Sequence, residues 1–365
     1  MHLADSGIRP VPHHPDPFVP RTQTGVPLVT VVGPFGLSVR DQAVEADVLA
    51  GLAAVDEGLM EATKSDVAFI TEAAQHLVRA GGKRFRPLLV MLGAQFGDPH
   101  APGVVPAAVV VELTHLATLY HDDVMDEADV RRGVPSANAN WDNSVAVLTG
   151  DFLFSRASHI LADLGPEAVR VQAQAFERLV TGQIMETAGP ADGHDAIDHY
   201  LEVIAGKTGS LIAVAGRFGA MMSGADERTV SVLTQYGERV GVAFQLADDV
   251  LDIASDEHES GKTPGTDLRE GIPTLPVLYL RARAASPEAT REDRELCALL
   301  DGDLGDDGRL AEALAALRVH PALEQARRAT VRYADEAREM LAPLPDNAAK
   351  AALAGLCTAV VDRAG

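Results

Sequence analysis

Residues 103–128 read GVVPAAVVVELTHLATLYHDDVMDEA. A long apolar, helix-compatible run ends in three aspartates, Asp122, Asp123 and Asp126, spaced D-D-x-x-D. The same shape returns where the helical pattern of residues 226–255 closes in Asp248-Asp249-Val250-Leu251-Asp252. With 3.6 residues per turn, positions i, i+3 and i+4 crowd one side of a helix, so each cluster packs like charges together. Each also lies near the negative C-terminal end of its helix, where anions are least stable. Oxygen ligation of Mg²⁺, which takes one or two carboxylates and completes its shell with water and phosphate, explains such an arrangement. For one cluster a solvated acidic helix end explains it equally well. For two clusters, each following an apolar helix that should be buried beside the other, that plainer account weakens.

Working outward, the bulk composition agrees with a helical chain. The 365 residues are 47% hydrophobic but only 4% aromatic, with Ala, Leu and Val abundant. This favours close-packed helices over a β-sandwich. The predicted helices cover roughly 40–62, 66–79, 84–97, 103–128, 141–163, 166–187, 195–222, 226–255, 273–285, 291–301, 308–318, 320–342 and 346–363. Breakers such as Gly81-Gly82, Gly133-Val134-Pro135, Gly165-Pro166 and Gly271-Ile272-Pro273 separate them. No strand alternation stands out. Residues 1–39, rich in Pro, Gly and His, read as a partly disordered tail with a short extended piece at Leu28–Val32, ahead of one all-α domain over 40–365.

A net charge of −22 repels nucleic acid and anionic surfaces, so no nucleic-acid partner is expected. Cys297 and Cys357 offer neither a disulfide framework nor metal spacing, and a reducing cytoplasm is the expected compartment. No signal peptide is read, and no apolar run is expected to reach the length of a membrane span.

On so acidic a chain the cationic clusters are informative. Gly81-Gly82-Lys83-Arg84-Phe85-Arg86-Pro87 brings three positive charges into a helix start, where backbone amides and cations together bind anions. Arg131-Arg132-Gly133 follows the first aspartate cluster directly, and Lys207 and Lys262 sit beside glycines. Lone cations are usually just solvated, but these recur at glycine-flanked turns. His115 lies two turns before Asp122, where a satisfied core histidine and a ligand contact are both open readings. Gln245 lies one turn before Asp248. Two acidic clusters with cations around them point to metal-assisted diphosphate chemistry.

At these residues the chain resembles the trans-isoprenyl diphosphate synthases of the polyprenyl synthetase family, in their bacterial longer-chain type. The resemblance rests on G-G-K-R-x-R-P, H-D-D-x-x-D followed by R-R-G, the K-T-G lysine, F-Q-L-x-D-D-x-x-D and G-K-x-x-G-x-D-L-R-E-G, in order over residues 40–365. It implies an all-α single bundle around a deep central cavity, the isoprenoid synthase fold, usually as a homodimer. It implies head-to-tail 1′-4 condensation of isopentenyl diphosphate with an allylic diphosphate (geranyl, farnesyl or geranylgeranyl), with three Mg²⁺ ions when substrate is bound. Asp122, Asp126, Asp248 and Asp252 would hold metal, with Asp123 and Asp249 supporting them. Lys207 joins the aspartates in catalysis. Arg131, Lys207, Thr208, Gln245 and Lys262 would contact the allylic diphosphate, and Lys83, Arg86, His115 and Arg132 the isopentenyl diphosphate. The basic residue that some short-chain members carry shortly after the Lys262 loop is not evident, which leaves one peripheral phosphate contact open.

Short-chain relatives place an aromatic four or five residues before the first motif. Those positions here are Thr118 and Ala117, and Thr114 is small too, so a product of C20 or longer is expected. Release of so apolar a product implies peripheral membrane contact. Two other readings compete: a class I terpene cyclase, which needs no second substrate site, and a non-catalytic subunit of a heteromeric synthase, which would show eroded aspartates.

Overall fold

The computed structural model describes residues 31–32, 37–38, 41–255 and 264–364. Helices dominate: α1 (Gln42–Ala62), α2 (Ala68–Arg79), α3 (Phe85–Ala94), α4 (Val104–Met125), α5 (Ala137–Asn140), α6 (Asn143–Leu164), α7 (Pro166–Ala188), α8 (Ala196–Ile204), α9 (Ser210–Met222), α10 (Glu227–Ala254), α11 (Thr266–Arg269), α12 (Leu275–Ala285), α13 (Arg291–Leu300), α14 (Asp307–Val319), α15 (Pro321–Met340) and α16 (Ala348–Ala364). The all-α expectation holds, and most predicted helices fall within a few residues of these bounds.

α4 is buried over its middle, where every residue from Ala107 to Thr114 is inaccessible. A helix apolar on all sides belongs at the centre of a bundle, and α4 packs on α1, α3, α6 and α9. By length and composition alone it could cross a membrane, contrary to the expectation that no apolar run is that long; its burial among other helices makes it the core helix instead. α10 packs on α9, α15 and α16, so both aspartate-bearing helices pack on α9. Contact there is close: a Cβ at Gly216 of α9 would lie 2.4 Å from the Leu233 carbonyl of α10, which leaves room only for glycine. Much of the acidity serves helix starts, as Asp142 caps α6 through Val145 N and Asp226 caps α10 through Thr229 N.

Three details differ from the sequence expectation, and the first two touch the site. Val130–Arg131 pairs antiparallel with Val134–Pro135, Arg131 opposite Val134. The tight turn between them has Arg132 at φ 55 and Gly133 at φ 77, the two positive values a type I′ hairpin needs. The helix expected over 195–222 is interrupted by a π turn at Ala205–Gly209. Strands β1 (Val31–Val32) and β2 (Leu37–Ser38) pair within what was read as the tail.

Candidate active site

The first aspartate motif ends α4. Asp123 is fully buried and accepts from Arg131 Nε at 2.5 Å, while its Oδ2 has no hydrogen-bond partner. Arg131 also approaches Asp126 at 3.8 Å. Asp123 is thus the anchor that aims Arg131 of the hairpin back along the motif. Asp122 is pushed up to about 6 from 3.8, first by burial and then by Asp126 and Asp123, with Lys207 and Arg131 opposing. Lys207 comes from the π turn, where the backbone widens as it often does at functional positions. Gly182 of α7 permits this approach, since a Cβ there would lie 2.8 Å from Lys207 N. The Lys207 ammonium pairs with Glu186 at 2.6 Å.

A second cationic group forms beside the first. Arg132, 16% exposed, donates to the carbonyls of Leu77 (3.0 Å) and Gly81, so the hairpin is tied to the glycine turn. Glu112, buried within α4, sits 3.1 Å from Arg84 and 3.7 Å from Arg132. Arg86 is lowered to about 10 by burial, with Glu112 opposing, and its Nε has no partner. His115 is held well below its ordinary range by burial and by Arg86, Arg132, Arg131 and Arg84, which keeps the ring neutral. Glu112 therefore offsets only part of the charge of Arg84, Arg86 and Arg132, an arrangement suited to a polyvalent anion. The three cations of the glycine turn separate by role. Arg84, at φ 48, pairs with Asp56 (2.7 Å) and Glu112 and is structural. Arg86 belongs to the anion group, and Lys83 is exposed on the turn.

On α10, the second motif is organised by a chain of hydrogen bonds. Thr208 donates to Gln245 Oε1 (3.0 Å), Gln245 donates to Asp249 Oδ1 (2.9 Å), and the Tyr200 hydroxyl donates to Asp249 Oδ2. Thr208 and Gln245, expected at the allylic diphosphate, are here turned toward one another and Asp249. Burial pushes Asp249 up to about 7 from 3.8, with Tyr200 and Gln245 opposing. Asp248 pairs with Arg363 of α16 at 2.7 Å, and that guanidinium lies 4.9 Å from the Phe244 ring. Asp252 accepts from the amides of Thr266 (3.2 Å) and Asp267 (3.3 Å) at the start of α11. Lys262 lies outside the described residues.

Glu270 locates the convergence of these parts. Its carboxyl is raised, first by burial and then by Asp126 of the first motif and Asp252 of the second, with Arg131 and Lys207 opposing. One side chain thus feels both aspartate motifs and both flanking cations. Sequence reasoning missed Glu112, Glu186, Tyr200, Glu270 and Arg363 as site residues. Glu112 had a signal, as the lone acid in an apolar run; Arg363 had none. The wall below Asp122 is mixed: Ala117 is fully buried, Thr118 is partly accessible, and Thr114 is buried with a side-chain partner.

The residues present fit Mg²⁺. The donors are all carboxylates, the hard oxygens this ion requires, and Asp122 and Asp249 carry charges that burial leaves under-compensated. Among the described residues no three acidic, imidazole or thiol groups converge into a protein-only cage. That matches an ion that borrows phosphate and water for most of its shell.

The chain has relatives among known proteins. The polyprenyl synthetase family pattern matches residues 67–317. The chain is 49% identical to nonaprenyl diphosphate synthase of Mycobacterium tuberculosis, over 90% of its own length and 97% of that protein's. It is similar to geranylgeranyl pyrophosphate synthase of Corynebacterium glutamicum, solved with calcium and isoprenyl diphosphate. The identity is 45% and the TM-score 0.80, covering 90% of this chain and 100% of that one. A decaprenyl diphosphate synthase of Rhodobacter capsulatus matches with TM-score 0.79 at 36% identity, over 88% of this chain and 99% of that one. With both aspartate motifs intact at the ends of helices that pack on α9 in an isoprenoid synthase fold, the chain belongs to the polyprenyl synthetase family and is a prenyltransferase.

Proposed function

We propose that the chain condenses isopentenyl diphosphate head to tail (1′-4) with an allylic diphosphate, giving an all-trans polyprenyl diphosphate of C20 or longer. The observation that carries this reading is the pair of anion-binding cationic groups. Lys207 and Arg131 face the aspartates, and Arg86, Arg132 and neutral His115 form a second group around Glu112. A cyclase acting on one diphosphate has no use for the second group. A non-catalytic subunit has no need of two complete aspartate motifs.

Asp122, Asp126 and Asp248 would hold Mg²⁺, with Asp252 beside them, and bound Mg²⁺ supplies Lewis-acid stabilisation of the departing diphosphate. Lys207 and Arg131 take up negative charge as the allylic carbon–oxygen bond breaks. Arg86 and Arg132 fix the isopentenyl diphosphate so that its double bond meets the allylic cation and forms the new carbon–carbon bond. The proton then lost passes to the departed diphosphate, so no protein base is required. Apolar helix faces below Asp122 exclude water that would quench the cation.

The reading includes a homodimer in the cytoplasm. Its support is an apolar face at one end of the adjacent helices α6 and α7, where Leu148 is 66% and Ile184 61% exposed alongside Val147 and Val180. Cys297 and Cys357 are free thiols, in keeping with a reducing compartment. The deciding experiment incubates the protein with Mg²⁺, radiolabelled isopentenyl diphosphate and geranyl, farnesyl or geranylgeranyl diphosphate, and separates the products by chromatography. Extension of at least one primer is expected; extension of none would remove the synthase reading.

A further inference from the structure

The hairpin that carries Arg131 and Arg132 is too short to hold its own shape. Its strands, Val130–Arg131 and Val134–Pro135, have two residues each, and an isolated two-stranded hairpin is marginal in water even when longer. Its position therefore depends on ties to its neighbours. Arg131 is tied to Asp123, and Arg132 Nη1 donates to the carbonyls of Leu77 (3.0 Å) and Gly81. Both of these ties use a cation that the synthase reading gives to a diphosphate. A third tie does not. His76, the residue before Leu77 on α2, approaches the Pro135 carbonyl with Nε2 at 2.7 Å, across 59 residues of chain. A carbonyl oxygen only accepts, so Nε2 carries a proton and donates it. The ring is braced as well. Trp141 meets it edge to face with centroids 5.2 Å apart, and Phe69 of α2 meets Trp141 the same way at 6.1 Å.

We propose that His76 is a positioning residue for isopentenyl diphosphate: it pins the hairpin to α2 through Pro135 and so holds Arg132 in place when the diphosphate draws on that guanidinium. The proposal rests on the synthase reading above. An incoming diphosphate competes with the Leu77 and Gly81 carbonyls for Arg132, because a charge-assisted hydrogen bond is stronger than one to a neutral carbonyl. The attachment of Arg132 to α2 therefore weakens as substrate binds. Without another tie, the cost of ordering the hairpin would fall on substrate affinity. His76 meets that need, since its donor goes to a backbone carbonyl that no substrate uses. Arg131 depends on it less, because the buried Asp123 holds that side chain directly. The effect of His76 thus falls on the binding of isopentenyl diphosphate more than on the allylic substrate or the chemical step. A ring present for packing alone would serve equally well as a phenyl group.

The test compares wild type, His76→Phe and His76→Gln in two measurements. One is steady-state kinetics with labelled isopentenyl diphosphate, Mg²⁺ and whichever of geranyl, farnesyl or geranylgeranyl diphosphate wild type extends. The other is hydrogen exchange over residues 129–136 in the substrate-free protein. His76→Phe keeps a ring against Trp141 but has no donor, whereas His76→Gln keeps an N–H at the reach of Nε2 but has no ring. His76→Phe is expected to raise KM for isopentenyl diphosphate about three- to tenfold, the factor for one net hydrogen bond, and to speed hairpin exchange by a similar factor. Its kcat and its KM for the allylic primer are expected to stay within about twofold of wild type. His76→Gln is expected to match wild type in both measurements. An unchanged KM for isopentenyl diphosphate in His76→Phe would overturn the proposal. So would a His76→Gln enzyme as impaired as His76→Phe, because ring packing and not the hydrogen bond would then be at work. Unchanged hairpin exchange in His76→Phe would overturn the pin alone. Wild type that extends no primer would remove the synthase reading, and the positioning role with it.

Discussion

Asp249 offers the sharpest energetic test of how the site is built. It lies in α10, 3% exposed, between the Tyr200 hydroxyl and the Gln245 amide, and burial pushes its carboxyl up to about 7 from an ordinary 3.8. A folded-state value above the unfolded one means that ionisation opposes folding. The associated stability is fully present below about 3.8 and is lost as the pH climbs to about 7. At 1.36 kcal/mol per unit, the three-unit gap amounts to about 4 kcal/mol, of which about 3 kcal/mol falls between pH 5 and 7. Asp249→Asn keeps the shape and cannot ionise. In EDTA, at one protomer concentration, its urea-unfolding free energy should gain on wild type by about 3 kcal/mol between pH 5 and 8.5 and level off above 7. Its activity with Mg²⁺ should fall over the same range, because the carboxylate is gone. A stability difference that stays constant from pH 5 to 8.5 would refute the claim that Asp249 is forced to carry its charge in a desolvated setting.

Replacing Ala117, fully buried one turn above Thr114, by Phe should shorten the product to C15, read by chromatography with geranyl diphosphate as primer; an unchanged product would remove Ala117 from the cavity wall. Arg363→Met should lower metal-free stability by at most about 1 kcal/mol, since the pair with Asp248 is partly exposed. It should also enlarge the rise in melting temperature on adding Mg²⁺, because Asp248 no longer has a competing cation. Glu112→Ala should cost about 3 kcal/mol in unfolding experiments, since it leaves Arg84 and Arg132 facing each other with little compensation. Leu148→Asp with Ile184→Asp should yield monomers in sedimentation at concentrations where wild type is dimeric.

What could be read from residue order was whatever is local. The helix bounds followed from runs punctuated by glycine and proline. The two aspartate clusters followed from i, i+3 and i+4 spacing, and the expectation that they share a site agrees with Glu270 feeling both Asp126 and Asp252. By spacing alone the glycine turn at residues 81–87 reads as one cationic patch, although the resemblance leaves Arg84 out of the isopentenyl diphosphate set, and its side chains diverge. Arg84 is consumed by Asp56 and Glu112, and Arg86 remains under-partnered. Nothing in the spacing separates the two, because the separation is made by Asp56 and Glu112 on other helices. The small stripe Thr114, Ala117 and Thr118 was read as unobstructed. The partner of Thr114, Gln172, whose Nε2 donates to its Oγ1 at 2.9 Å, could not be foreseen, since it arrives from α7, 58 residues later. The π turn that carries Lys207 is hidden in a continuous helical pattern, and α7 passes close beside it at Gly182.

The pair between Asp248 and Arg363 spans 115 residues of chain. A ribosome working at 5–20 residues per second needs roughly 6–23 s to make that stretch. For that interval the second carboxylate cluster exists without its guanidinium, although the helices that crowd its aspartates together have already been made. The order of synthesis therefore separates the moment the charges are assembled from the moment they are neutralised. The docking of α16 is a late, high-contact-order step in the birth of the site.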